Sequence, residues 1–253
     1  MVHYESHLID LVHDRDLIIF DFDGVVSPDS PEFDMHRQRV GAEAALRMLK
    51  ASFSDINLTL EEVIELNATL SGKDEVDYKG FCKHYGLDQD KWHHDFNDNL
   101  NVELAPPTQI TAEHFEACPF QMAILSHANR GWIIRKLEKD GRRHFFPDDK
   151  IFALEDVDNY CKFNGTEAYC RVLEKLDVEP RRAIMVENQP RNLVSAHKLG
   201  IETILVAQKN GNGSKQYDHV DYVFPGATQF LESVTRVKPL ARKFQPRKAG
   251  LQM

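Results

Sequence analysis

The chain has 253 residues, 42% of them hydrophobic, with 40 acids against 31 bases and a net charge of -9. This is enough apolar content for a sizeable core, either one large domain or a core carrying an inserted module. The acidic balance argues against a nucleic-acid-binding surface and against attachment to anionic lipid, so an anionic substrate would need a local basic or metal site.

Cys82, Cys118, Cys161 and Cys170 are widely separated and form no C-x-x-C pair, so neither a zinc knuckle nor a disulfide scaffold is indicated. Reduced thiols and a cytoplasmic location are the expectation. The opening Met-Val-His-Tyr-Glu-Ser-His-Leu is too polar for a signal peptide, and no apolar run approaches the roughly 20 residues of a membrane span.

Residues 1–16 are polar and read as a loop or short helix on a sheet edge. Leu17-Ile18-Ile19-Phe20 then reads as a strand buried on both faces, and Asp21-Phe22-Asp23-Gly24 follows at its carboxyl end. In an open α/β sheet that end is where ligands bind. Asp21 and Asp23, two residues apart on an extended segment, face the same way, and Gly24 lets the backbone turn sharply. Two adjacent acids repel unless a divalent cation and a polar reactant sit between them. A simple polar turn is the plainer reading of the tetrapeptide taken alone.

Ser27-Pro28-Asp29-Ser30-Pro31 reads as a turn-rich exit, after which strand-like runs cease. Helices are expected over Arg39 to Lys50, Leu60 to Leu70 (opened by the capping box Thr59-x-x-Glu62), Glu75 to Tyr85 (stopped by Gly86) and Asp88 to Leu100. Pro106-Pro107 marks the way out. Strand character resumes at Gln121 to Ser126 and recurs at Ile151 to Leu154, Ala183 to Glu187, Glu202 to Val206 and Tyr222 to Phe224. Helices lie between at Gly131 to Lys139, Thr166 to Leu176 and from Pro190 to a stop at Gly200. Strands alternating with helices at this spacing predict a parallel sheet covered on both faces, an α/β fold. Residues 207–219 read as a flexible loop. The expected division is a core of 1–26 and 119–235, a helical insertion of 27–118, and a basic disordered tail of 236–253.

Several strand ends carry residues suited to a phosphate ester. Ser126 could donate its hydroxyl to a phosphoryl oxygen beside the backbone N–H groups of His127 and Ala128, or could simply cap the next helix. Lys162 follows the third strand, a compact charge suited to balancing both the aspartates and the phosphate. Glu187 and Asn188 end the fourth, where hard oxygens could complete a magnesium site with Asp21 and the Asp23 backbone carbonyl. His36 and Arg37, after the acidic loop, and Arg130, after the serine, are possible contacts to a substrate base or phosphate. His93-His94 reads as a solvated pair pointing apart on a helix, and Glu155, Asp156 and Asp158 read as a loop.

These positions together resemble the haloacid dehalogenase superfamily of phosphohydrolases: Asp21 to Val25 for its first motif, Ile124-Leu125-Ser126 for the second, Lys162 for the third, and Val186 to Asn192, running on to Lys198-Leu199-Gly200, for the fourth. The likeness runs from Leu17 to Val234. It implies a Rossmann-like core with an inserted helical cap, Asp21 as the nucleophile forming an aspartyl-phosphate, Asp23 as the acid that protonates the leaving oxygen and then activates water, and Mg²⁺ as cofactor. A dehalogenase has no leaving alkoxide to protonate, so Asp23 argues against that branch. Lys83-His84-Tyr85-Gly86-Leu87 and the Arg191-Asn192 helix look most like pyrimidine 5'-nucleotidases, which makes a nucleoside 5'-monophosphate the first expected substrate. A sugar-phosphate phosphatase, a phosphomutase or a weakened regulatory binder of a phosphorylated ligand are the alternatives. Asn188 stands where the family usually has aspartate, and Phe163 where it usually has proline. The first departure removes a charge from the metal shell and predicts weak Mg²⁺ affinity or a preference for Mn²⁺. The expected partner is a small phosphorylated metabolite, with a homodimer through an exposed face of the helical insertion as a further possibility.

Overall fold

The computed structural model describes residues 14–70, 78–206 and 217–236. The expectations for the first 13 residues, for most of the 207–219 loop and for nearly all of the basic tail lie outside the described residues. Six parallel strands are ordered β3-β2-β1-β4-β5-β6: β1 (Leu17–Phe20), β2 (Gln121–Leu125), β3 (Ile151–Phe152), β4 (Ala183–Glu187), β5 (Glu202–Val206) and β6 (Tyr222–Phe224). This is the α/β architecture expected from the alternation of strands and helices. β1 is central, with Ile19 opposite Ala123 of β2 on one side and Met185 of β4 on the other. Its four residues are fully buried. Leu17 and Ile19 enter one apolar layer with Tyr169 and Val172, whereas Ile18 and Phe20 enter the other with Trp132 and Phe146. The two-residue period of a strand thus explains an uninterrupted apolar run.

Among the described residues, five α-helices precede β2: α1 (Pro31–Ser52), α2 (Leu60–Leu70), α3 (Lys79–Tyr85), α4 (Gln89–Asn99) and the short α5 (Ala112–Glu116). α1 begins well before Arg39, inside the stretch read from sequence as a turn. The Ser30 side chain accepts the Phe33 N–H at 3.2 Å and Pro31 takes the first helical position, so Ser-Pro here is a helix start. Thr59 and Glu62 form the expected reciprocal box. Gly86 ends α3 at φ +64°, donating to the Cys82 and Lys83 carbonyls. Residues 71–77, where the expected third helix was to begin, are outside the described set.

After β2 the order is α6 (Arg130–Lys139), β3, α7 (Glu167–Leu176), β4, α8 (Pro190–Lys198), β5, β6 and α9 (Ala227–Arg236). β3 is shorter than expected, because Leu154–Val157 winds into a 3-10 turn, and α9 was not foreseen at all. All four cysteines are free thiols. Among the described residues, no helix is long and apolar enough to cross a membrane.

The helical insertion and the α6 face of the sheet share one continuous apolar cluster. Phe33 of α1 stacks on Trp132 of α6 with ring centroids 5.5 Å apart. Within the insertion, Trp92 is the pivot: it stacks on Tyr78 and Phe96 and donates its indole N–H to the Gly41 carbonyl at 3.0 Å. Trp92→Ala is expected to destabilise the protein by about 3–5 kcal/mol in chemical denaturation, the range for deleting a buried aromatic. A loss under about 1 kcal/mol would show that the insertion does not depend on this stack.

Candidate active site

The carboxyl ends of β1, β2 and β4 converge on one buried ammonium. Asp21 leaves β1 with its N–H on the Val186 carbonyl (2.8 Å) and its Oδ1 accepting the Phe22 N–H (2.7 Å). That same Oδ1 lies 2.7 Å from Lys162 Nζ, and Glu187 Oε2 lies 2.7 Å from it on the β4 side. The Leu125 carbonyl of β2 accepts from Nζ at 3.4 Å. Lys162 and Glu187 are essentially inaccessible to solvent, and Asp21 is 7% exposed.

Burial alone would discharge Lys162, but Asp21 and Glu187 outweigh it, and the ammonium's pKa lies above the ordinary lysine value. Burial pushes Glu187 up as well, yet Lys162, Asp21 and the neighbouring N–H groups hold it below the usual carboxylate range. Asp21 moves the other way: burial and repulsion from Glu187 raise it well above that range, against the pull of Lys162. One ammonium between two carboxylates leaves one negative charge uncompensated.

Glu187, anticipated from sequence as a metal ligand, has its carboxylate engaged by the protein itself. Its Oε1 accepts the Asn188 and Gln189 N–H groups, both at 2.9 Å, while its Oε2 accepts Lys162 and the Asn192 amide at 3.0 Å. A carboxylate offers about four acceptor positions, and all four are taken. Its place is beneath Lys162, fixing the ammonium.

Asp23 is partly exposed, its Oδ1 held at 3.0 Å by the Trp132 indole N–H. From Phe22 onward the chain folds back tightly: Val26 and Ser27 N–H both reach the Phe22 carbonyl, and Gly24 adopts φ +80°. A Cβ on Gly24 would lie 1.8 Å from Asn188 Nδ2 and 3.0 Å from Asp29 Oδ2. Asn188 is therefore seated directly on the Asp21–Gly24 turn. Its Oδ1 is buried and has no hydrogen-bond partner among the described residues. An orphaned carbonyl oxygen beside an uncompensated carboxylate has the donor chemistry for a hard divalent cation. No group of three or more His, Cys, Asp or Glu is arranged as a metal cluster among the described residues, so any such site draws on amide and carbonyl oxygens as well.

Ser126 is buried at the end of β2, where its hydroxyl accepts the Ala128 N–H at 3.1 Å. It does not cap α6. Asn129 does, accepting the Trp132 N–H at 2.8 Å. The His127 ring is turned to Lys162, whose backbone N–H it accepts on Nε2 at 2.9 Å. Arg130 is spent elsewhere: its guanidinium reaches the Asp148 and Ile151 carbonyls and the Asp156 carboxylate, tying down the segment around β3. His36 accepts the Asn101 N–H at 3.0 Å and lies against Phe33. Of the three residues expected to contact substrate, His36 and Arg130 are thus engaged away from Asp21, and Arg37 pairs with Asp29 at 3.4 Å. His93 is the clearest correction among the residues set aside. It is buried, and its Nε2 donates to the His127 carbonyl at 2.7 Å, while His94 alone is solvated. Trp132, and the bond from Asn192 to Glu187, were missed, because these pairings are set by tertiary approach.

Residues 18–206 match the haloacid dehalogenase-like hydrolase family. The chain belongs to that family. No curated protein matches the sequence. Among solved structures it is similar to a HAD phosphatase from Thermococcus onnurineus, at 19% identity and TM-score 0.61 over 86% of this chain and 96% of that one. CbbY from Rhodobacter sphaeroides in complex with phosphate is 17% identical, with TM-score 0.56 over 87% and 99% of the two chains. A variant of the same CbbY in complex with xylulose-1,5-bisphosphate is 18% identical, with TM-score 0.57 over 85% and 96%. At these identities the structures establish a shared fold.

Two outcomes follow from the turn. Gly24→Ala is expected to abolish turnover and lower the unfolding midpoint, because the new methyl meets Asn188 in a backbone conformation that side chains disfavour. Near-normal kinetics would mean that Asn188 is free to move. Burial pushes Asp29 up to about 6, against the pull of Arg37 and with help from Asp23 and Asp34. A carboxyl raised in the fold costs stability as pH climbs from its unfolded value through 6. Asp29→Asn, assayed with a chelator present, should then be more stable than the parent at pH 8 by about 1 kcal/mol, after discounting for solvent access, and the gain should shrink as pH is lowered towards 4. A variant less stable than the parent at pH 8 contradicts the assignment.

Proposed function

We propose that this hydrolase is a Mg²⁺-dependent phosphatase that cleaves a small phosphomonoester through an aspartyl-phosphate on Asp21. The observation that carries the reading is the buried Lys162 ammonium gripping Asp21 at 2.7 Å, with the carboxyl of Asp23 two residues along and held separately by Trp132. Lys162 and Glu187 fix the Asp21 carboxylate. An Asp21 oxygen attacks phosphorus as the phosphorus–oxygen bond to the leaving group breaks, and Asp23 gives that oxygen its proton. In the second half, Asp23 takes a proton from the water that attacks the acyl-phosphate, releasing phosphate and restoring Asp21. Ser126, at the end of β2, keeps its own hydroxyl proton to donate to a phosphoryl oxygen.

Asp21, the Asp23 backbone carbonyl and Asn188 Oδ1 would hold the cation, and the raised pKa of Asp21 and the orphaned Asn188 oxygen fit one. When bound, Mg²⁺ supplies the positive charge that both the extra carboxylate and a phosphate ester call for. Glu187 is left out of this set, because its acceptor positions are full.

A nucleoside 5'-monophosphate is the first substrate reading, resting on Lys83 to Leu87 and on Arg191-Asn192. The second pair is already engaged: the Asn192 amide holds Glu187, and Arg191 covers the Phe163 ring at 4.7 Å. A sugar phosphate is the competing reading, supported by the similarity to a protein that binds xylulose-1,5-bisphosphate.

Phosphate release from a panel of nucleotides and sugar phosphates is expected to give turnover with Mg²⁺ or Mn²⁺, and Asp21→Asn to reduce it by about 10³-fold or more. No turnover with any substrate or metal would favour a binding protein. Asn188→Asp, by adding the missing charge, should tighten Mg²⁺ binding by about tenfold in calorimetry. Unchanged affinity would remove Asn188 from the metal shell.

A further inference from the structure

Lys162 has to present its ammonium at a fixed point, yet it sits in a loop turn closed by a single bond, Asn164 N–H to the Cys161 carbonyl at 3.2 Å. Phe163 follows it, so no proline ring restricts its backbone. Two contacts do that work. The His127 ring accepts the Lys162 N–H on Nε2 at 2.9 Å, and it meets the Phe163 ring edge-on with centroids 5.8 Å apart; Arg191 covers Phe163 at 4.7 Å. An Nε2 that accepts leaves the ring proton on Nδ1.

The same residue is gripped a second time. Its carbonyl accepts the His93 Nε2–H at 2.7 Å from α4 of the helical insertion. His93 is buried there, with its own carbonyl accepting the Asn97 amide at 2.8 Å, and the Asn97 carbonyl in turn receives Arg135 of α6 at 2.7 Å. One residue thus carries a bond from the insertion on its backbone and a bond to the lysine loop on its ring.

We propose that His127 is a positioning residue for Lys162, and that the His93 bond makes the placement of that lysine depend on how α4 of the helical insertion is seated. The kinetic side of this rests on the phosphatase reading; the structural side does not. His127→Phe keeps a ring against Phe163 and removes the acceptor, whereas His127→Gln returns an acceptor oxygen at similar reach. His93→Phe keeps a ring and removes the donor.

Hydrogen–deuterium exchange of the intact protein, read on peptides covering 158–165, is the direct test, beside kcat and KM with p-nitrophenyl phosphate. In His127→Phe those peptides should exchange about fivefold faster, the scale of one lost hydrogen bond, and kcat should fall about tenfold or more with KM changed less than threefold. His127→Gln should restore both to within about threefold of the parent. His93→Phe should speed the same peptides in the same direction, and the double variant His93→Phe, His127→Phe should be no worse than His127→Phe alone. Unchanged exchange at 158–165 in His127→Phe overturns the positioning role. Faster exchange confined to α4 in His93→Phe overturns the link to the insertion. The expected exchange pattern in a protein that releases no phosphate would uphold the positioning and reject the phosphatase reading.

Discussion

Everything in this molecule that bears on chemistry depends on one buried ammonium shared by two carboxylates. Lys162 is a loop residue, but its Nζ is delivered to the centre of the sheet, where β1 contributes Asp21, β4 contributes Glu187 and β2 contributes the Leu125 carbonyl. Burying three ions is costly unless each finds its partners, and removing any one would strand the others in a site with almost no water. Glu187 is the anchor of the arrangement: two N–H groups from the start of the next loop, one amide and the ammonium account for its acceptor capacity. Asp21 is the member left with charge unmatched, which makes it the group that gains most from a cation or an electrophile.

Several of the contacts that tie the helical insertion to this arrangement fall on one stretch of the core, from His127 to Arg135. Phe33 stacks on Trp132, whose indole holds Asp23. His93 bonds the His127 carbonyl, and Arg135 reaches back to the Asn97 carbonyl. The same short segment therefore contacts the insertion on one side and Asp23 and the lysine loop on the other. Its apolar partners are continuous with those of the insertion, so the contact is packed as a core is packed.

The sheet was legible in the residues because its strands are short apolar runs separated by helical stretches, and a parallel sheet needs strands buried on both faces. The first acid, the serine and the strand-end Glu-Asn could be expected near one another for the same reason, because parallel strands deliver their carboxyl ends to one edge; Lys162 reaches that edge from a loop. What could not be read was the division of labour there. Glu187 has the chemistry of a ligand, and only the approach of Asn192 and two backbone N–H groups shows that its oxygens are full. His93 lies in a charged, polar stretch and reads as solvated until α4 is laid against the Ser126 loop. Trp132 carries no sign that its N–H meets a carboxylate. Ser30-Pro31 was the reverse case, a local signal for a helix start that was present in the sequence and read as a turn.

In the proposed reaction Asp21 attacks phosphorus. Rapid acid quenching of the enzyme with a ³²P-labelled substrate, counted for protein-bound ³²P, beside a parallel quenched sample reduced with tritiated borohydride and peptide-mapped, is the sharpest test. A burst of protein-bound ³²P is expected in the unreduced sample, and tritiated homoserine at position 21 of the peptide containing Phe20-Asp21-Phe22 in the reduced one. Label on a histidine or serine instead, or turnover with no labelled protein at any quench time, would contradict it.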